Sequence, residues 1–316
     1  MMIHRIFRPL ALAICLVAGF VLVAQPSLAV DLEGAKQDLE QLKKATKPRA
    51  TNEDLLQYLD AVFTNVKGLK GPEKPADDAS DEEKKAWASA NAKFEKNKAK
   101  YMADSEKLIL KIMTLVKVKN ETNIRDDVNI AAAKILGEMG PLLDEKGRKS
   151  LSKKIMNSID KRLTKVKTHD VNTDLLAAAF GALGQLNDVG SLQWMLKNHC
   201  HANEVKKQYI IAAHKAMVLF KDVPGKLRYD VVNQFVKVYG SVEAQAEQSS
   251  TDAAILAKKR FWDDIKTYTI PVAQHYAGKP TDAEGAALAT MADFQAFMRQ
   301  HKNARKAPWV DAKIKK

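Results

Sequence analysis

Three stretches of this chain place small and large residues in the same order, and that recurrence restricts the fold more than any other feature of the sequence. Asp127-Val128-Asn129-Ile130-Ala131-Ala132-Ala133-Lys134-Ile135-Leu136-Gly137 aligns with Asp174-Leu175-Leu176-Ala177-Ala178-Ala179-Phe180-Gly181-Ala182-Leu183-Gly184 at a shift of 47 residues. Ile210 to Phe220 follows the second copy at a shift of 34, with Met217 where the others have leucine. Alanines along one helical face let a neighbouring helix approach closely, while large residues every three to four positions fill the seam. Gly137 and Gly184 are then expected to end their helices in a left-handed cap.

Nearly every other periodic segment also reads at three and four residue spacing, and the alternation of half-exposed strands is scarce. A second helix is expected after each copy: Leu151 to Val166, Leu192 to Leu196 and Tyr229 to Tyr239. The last holds Val231, Val232, Phe235, Val236, Val238 and Tyr239, a composition that suits strands, so a strand stands as the alternative to the helix its spacing predicts. Paired helices whose first member carries a run of alanines ending in Leu-Gly resemble the HEAT repeat, over about residues 119–243. The resemblance implies an all-α fold, a HEAT-like α-solenoid of antiparallel helical hairpins with extra N- and C-terminal helices; a generic helical bundle is the other reading. Residues 244–316 depart from the pattern. There Phe261, Trp262, Ile265, Tyr268 and Val272, with Pro271 among them, and Leu288, Met291, Phe294, Phe297 and Met298 predict two helices that cap the stack.

The N-terminal region has its own logic. His4, Arg5 and Arg8 precede an apolar run from Leu10 to Ala24, and Gln25-Pro26-Ser27-Leu28-Ala29 offers small residues where a signal peptidase reads. Residues 1–29 are therefore expected to be an export signal cleaved after Ala29, which places the mature protein in the periplasm or outside the cell. The alternative is an uncleaved anchor, although fifteen apolar residues fall short of the roughly 20 that span a bilayer as a helix. Residues 30–118 are read as N-terminal helices interrupted by a polar, Pro-containing linker at 71–79. Thr51 with Asp54, Ser80 with Glu83 and Thr281 with Glu284 each match a capping box at a helix start.

With 14 Gly, 10 Pro and 2 Cys in 316 residues, collagen-like, low-complexity and disulfide-stapled classes are excluded. Cys15 falls within the signal, so Cys200 is the single cysteine of the expected mature chain and no internal disulfide is available to it. His199-Cys200-His201 is the densest group of soft-metal ligands. Adjacent residues point in different directions, however, and His169 and His214 are only loose partners for a site that needs four ligands at about 2.0–2.3 Å. No metal or cofactor is assigned. The glycines of Gly137-Glu138-Met139-Gly140 and of Gly181 to Gly184 end helices and do not follow strands, so they are no phosphate loop. Asp126-Asp127 and Asp263-Asp264 read as helix-start or solvated acids, and no catalytic residue is assigned.

Charge is the stronger lead. The chain carries 51 Lys and Arg against 38 Asp and Glu, and nine of those cations face one acid, Asp160, between Lys146 and Lys167. Lys149, Lys153, Lys154, Lys161 and Lys165 spread over the face opposite the apolar stripe, which makes them the candidate anion- or partner-binding residues. Like charges four apart cost a few tenths of a kcal/mol each. Ten of the cations are Arg, the residue suited to bidentate base and phosphate recognition, so nucleic acid is not the favoured partner. The sequence thus predicts a non-enzymatic exported helical-repeat scaffold for a protein partner of the cell envelope. A basic adaptor docking on anionic envelope polymer or lipid through residues 146–167 is the second reading. An enzyme whose site is assembled from distant residues is the third, and it requires a deep pocket around His169, His199, His201 and His214.

Overall fold

The computed structural model describes residues 32–46, 51–114, 126–161, 172–247, 252–278 and 288–300. The segment expected to be an export signal, the capping box expected at Thr281 and Glu284, His169 and Lys165 lie outside them. Among the described residues the protein is all-helical: α1 (Leu32–Ala45), α2 (Asn52–Gly68), α3 (Asp81–Met113), α4 (Asp126–Glu138), α5 (Glu145–Lys161), α6 (Thr173–Leu186), α7 (Val189–His199), α8 (Lys207–Met217), α9 (Gly225–Glu247), α10 (Ala253–Ala277) and α11 (Met291–Gln300). No strand occurs among these residues, and none of these helices is long and apolar enough to cross a membrane.

Local chemistry sets the helix starts. Thr51 and Ser80 cap α2 and α3, each hydroxyl accepting from the backbone amide of the acid three residues on, Asp54 or Glu83, whose carboxylate accepts from the cap's own amide. Those bonds hold the Asp54 and Glu83 carboxyls below their ordinary range. Asn172, Asp188 and Asp252 cap α6, α7 and α10 with their side-chain oxygens. A further box, which the sequence reading did not pick out, joins Thr290 to Asp293 ahead of α11.

The three alanine-bearing segments become α4, α6 and α8. Helix α4 packs on α6, α6 on α8, and α8 on α10, while α5 and α7 lie against α6 and α8 respectively and α9 packs on α10 and α11. Val231, Val232, Phe235, Val236, Tyr239 and Val242 of α9 are all buried. Their spacing, which matches one helical face, prevails over their strand-favouring composition. Asn129 Nδ2 donates to the Ile112 carbonyl at 2.7 Å, fixing α4 against the end of α3. Tyr276 closes the far side, donating its hydroxyl to the Met217 carbonyl at the end of α8 at 2.6 Å.

Gly137 and Gly184 are not the left-handed caps expected of them. Both lie inside their helices, and α6 ends instead in Asn187 at φ 55°, whose amide bonds the Gly184 carbonyl at 3.1 Å. The glycines serve the neighbouring helix. A Cβ on Gly137 would sit 2.8 Å from Ala182 Cα and 2.0 Å from Gln185 Oε1; one on Gly184 would sit 2.8 Å from both the Ala216 carbonyl oxygen and Leu219 Cβ. The two contacts share a register, since Gly137 and Gly184 are equivalent in the aligned copies, as are Ala182 and Ala216. A residue without a side chain in one layer thus faces an alanine two positions earlier in the next.

The early part of α3 is different. Its buried residues are Tyr101, Ser105, Glu106, Ile109, Ile112 and Met113, so none of its first twenty residues is buried and only the half-buried Phe94 among them packs against the core. The polar linker runs back along that exposed half. Trp87 donates its indole N–H to the Pro72 carbonyl at 3.1 Å, Lys84 bonds the Asp77 carbonyl at 2.8 Å, and Gly71 lies against Phe94.

The glycines of α6 predict opposite signs within one helix. Gly184→Ala forces contact with backbone and should lower stability by about 1–3 kcal/mol. Gly181→Ala, where an added Cβ meets nothing within 4 Å, should raise it by about 0.5–1 kcal/mol through the lost backbone entropy of glycine. Urea unfolding of the two variants checks this; equal effects would mean that α6 and α8 are not in close contact.

Candidate functional site

The turn after α7 separates the three residues of His199-Cys200-His201. His199 is buried against Phe180, Trp194 and Tyr209, its ring centroid 4.6 Å from that of Trp194, and neither ring nitrogen has a hydrogen-bond partner among the described residues. His201 is exposed, with Nε2 2.6 Å from the Lys197 carbonyl. Cys200 is fully buried and faces the Tyr239 hydroxyl; burial pushes its thiol up to about 12. Successive side chains therefore enter an aromatic cluster, a polar core and solvent. Among the described residues, no group of three or more His, Cys, Asp or Glu converges in a way that suits a metal ion.

His214, from α8, is completely buried at the centre of a polar chain. Thr269 of α10 donates its hydroxyl to the Ile265 carbonyl at 3.0 Å and lies 3.2 Å from His214 Nδ1, while Tyr239 of α9 lies 3.4 Å from Nε2. Since the single Thr269 proton goes to Ile265, the network assigns the imidazole proton to Nδ1, which donates to Thr269, and leaves Nε2 to accept from Tyr239. Burial lowers His214 to about 3 and raises the Tyr239 phenol far above its usual value. His199 falls to about 4, chiefly through burial, with Lys206 and His201 adding to the effect. Both imidazoles are neutral at pH 7, and this chain of groups ties α8, α9 and α10 together.

The lysine face is only partly free. Lys154 bonds Glu106 of α3 at 2.5 Å, with the Glu106 side chain 11% exposed, so this lysine joins α5 to α3 and does not await a partner. Lys149 and Lys153 are exposed, and neither makes an ion pair among the described residues. Lys161 closes α5, while Lys165 lies beyond the described residues.

Among the described residues, two grooves between the helices are of note. One, of about 360 Å³, lies over the first turns of α6 and α8 beside α10. Its charges are matched internally, because Lys207 pairs with Asp264 at 2.7 Å and the Lys215 ammonium sits 5.0 Å above the Tyr268 ring. The other, of about 800 Å³, opens where α4, α6 and α8 end, and is lined by Leu142, Leu219, Lys67, Glu138, Arg148 and Lys221 among others. Sequence reasoning missed it, because its residues come from helix exits far apart in the chain.

The buried imidazoles predict an acid-labile fold. An unfolded histidine titrates near 6.5, above both folded values, so the unfolded chain binds more protons below that pH. Stability should be level from pH 8 to about 7 and fall between about 6.5 and 4. His199→Phe suits the aromatic cluster and removes two buried polar atoms without partners. It should be near neutral at pH 7.5 and should reduce the loss at pH 4 by about 2 kcal/mol. Thermal unfolding midpoints across this range decide the matter; identical pH profiles for the two proteins would contradict it.

Compared with known family models, curated proteins and solved structures, the chain finds no match.

Proposed function

We propose that the chain is an exported, non-enzymatic helical-repeat scaffold of HEAT-like construction that binds a protein partner in the cell envelope. The observation that supports this most directly is the glycine-over-alanine contact, repeated in register between α4 and α6 and between α6 and α8. A contact that recurs with each added layer is the means by which repeat proteins extend a surface, each unit leaning on the next. Such surfaces suit recognition of other macromolecules, and the N-terminal pattern of residues 1–29 supports an envelope address.

Mild crosslinking in native envelopes followed by co-purification tests the proposal. A small set of proteins should be retained by the wild-type chain and lost when Gly184→Val disrupts the layers. Recovery of the chain alone, or only in the cytosolic fraction, would overturn the scaffold reading.

A second reading, docking on anionic lipid or polymer, is favoured by Lys149 and Lys153, which are exposed and make no ion pair among the described residues. At about one Debye length of 10 Å in 0.1 M salt, such a patch is strongly screened. Vesicles containing anionic lipid should then retain the protein at low salt and release it as salt rises. Changing Lys149, Lys153 and Lys161 together to Gln should abolish retention; unchanged retention would eliminate this reading.

A further inference from the structure

We propose that the groove where α4, α6 and α8 end is the docking site for a short acidic peptide segment of the partner protein, one that also carries apolar side chains. This deepens the scaffold reading and rests on it. Leu142, in the turn between α4 and α5, and Leu219, just after α8, are 42% and 41% exposed, and both line this concavity. Scattered exposed leucines are ordinary, but these two converge on one groove with a charged rim, and apolar surface rimmed by polar groups suits recognition.

The rim supplies the sign of the occupant. Of the three cations along it, Lys67 is held by Glu138 at 3.4 Å. Arg148 spends one Nη1 proton on the Leu143 carbonyl at 2.9 Å, leaving the rest of its guanidinium donors for another acceptor. Lys221 has its backbone amide fixed by Asn187 Oδ1 at 2.8 Å, and its ammonium pairs with no acid among the described residues. Among the described residues neither Arg148 nor Lys221 pairs with an acid, which leaves two formal positive charges beside two apolar side chains.

Helix C-terminal dipoles account for basic residues gathering near these ends. They do not account for the exposed leucines, whereas a carboxylate flanked by apolar side chains satisfies both features. The smaller groove offers no such complement, because its lysines are already engaged. A cleft of about 800 Å³ accommodates a few side chains of a peptide, the size at which a small number of anchors carries most of the affinity.

Selection of a displayed random-peptide library against the full chain tests the proposal, with a synthetic copy of the enriched sequence then titrated by fluorescence polarisation. Enriched peptides should combine Asp or Glu with Leu, Ile or Phe. Leu142→Ser with Leu219→Ser should weaken binding roughly tenfold or more, equivalent to about 1.4 kcal/mol. Lys221→Glu, at an exposed position, should do likewise with an unchanged unfolding midpoint. Enrichment without an acidic and apolar pattern, or equal affinity for wild type and Lys221→Glu, would overturn the proposal. If the double variant instead abolishes self-association in light scattering, a second copy covers the groove and the proposal falls. If the crosslinked partner persists in both variants while peptide binding is missing, the partner sits elsewhere; this inference then fails and the scaffold reading stands.

Discussion

The distance between neighbouring helices is the constraint on which the remaining structure depends. Gly137 and Gly184 let α4 reach α6 and α6 reach α8 so closely that even one added carbon would overlap backbone atoms. Dispersion falls off steeply with separation, so close approach along an alanine face gains many small attractions that a wider gap would forfeit. It also decides what large residues do. Leu136, Phe180, Leu183 and Met217 are fully buried because the layers have closed around them.

Much of this was legible in advance. The three and four residue spacing predicted helices throughout, and the boxes at Thr51 and Ser80 follow from a hydroxyl and an acid placed three residues apart. The role of the repeated glycines was misjudged for a physical reason. Glycine at a helix end serves equally as a left-handed cap or as a point of contact, and only the position of the neighbouring helix separates the two uses. Asn187, which does adopt the left-handed conformation, also binds the Lys221 amide 34 positions later, and local sequence holds no signal of that bond. The lysine face was legible as a stripe, but Lys154 is drawn to Glu106 on another helix, a distinction that periodicity cannot make.

The interior polar groups follow the same division between what neighbours in sequence and neighbours in space reveal. His199, Cys200 and His201 adjoin in the chain and diverge in the fold, whereas Cys200, Tyr239, His214 and Thr269 come from four separate places and form a connected path. A buried polar path requires every member to find a partner of the correct kind, and it thereby selects one arrangement of α8, α9 and α10 over others of similar apolar content. His199 makes no comparable contribution, since its ring nitrogens, set among aromatic rings, find no hydrogen-bond partner among the described residues.

The long helix α3 lives in two environments at once. Past Tyr101 it belongs to the core, but before that point it is held chiefly by the strap of residues 71–79, through the Trp87 and Lys84 bonds to carbonyls. Few buried apolar contacts mean a small opening free energy, so this half unwinds and re-forms on its own while the body stays closed. Its amide protons will therefore trade with solvent long before those beyond Tyr101, making one continuous helix two units of separate lifetime.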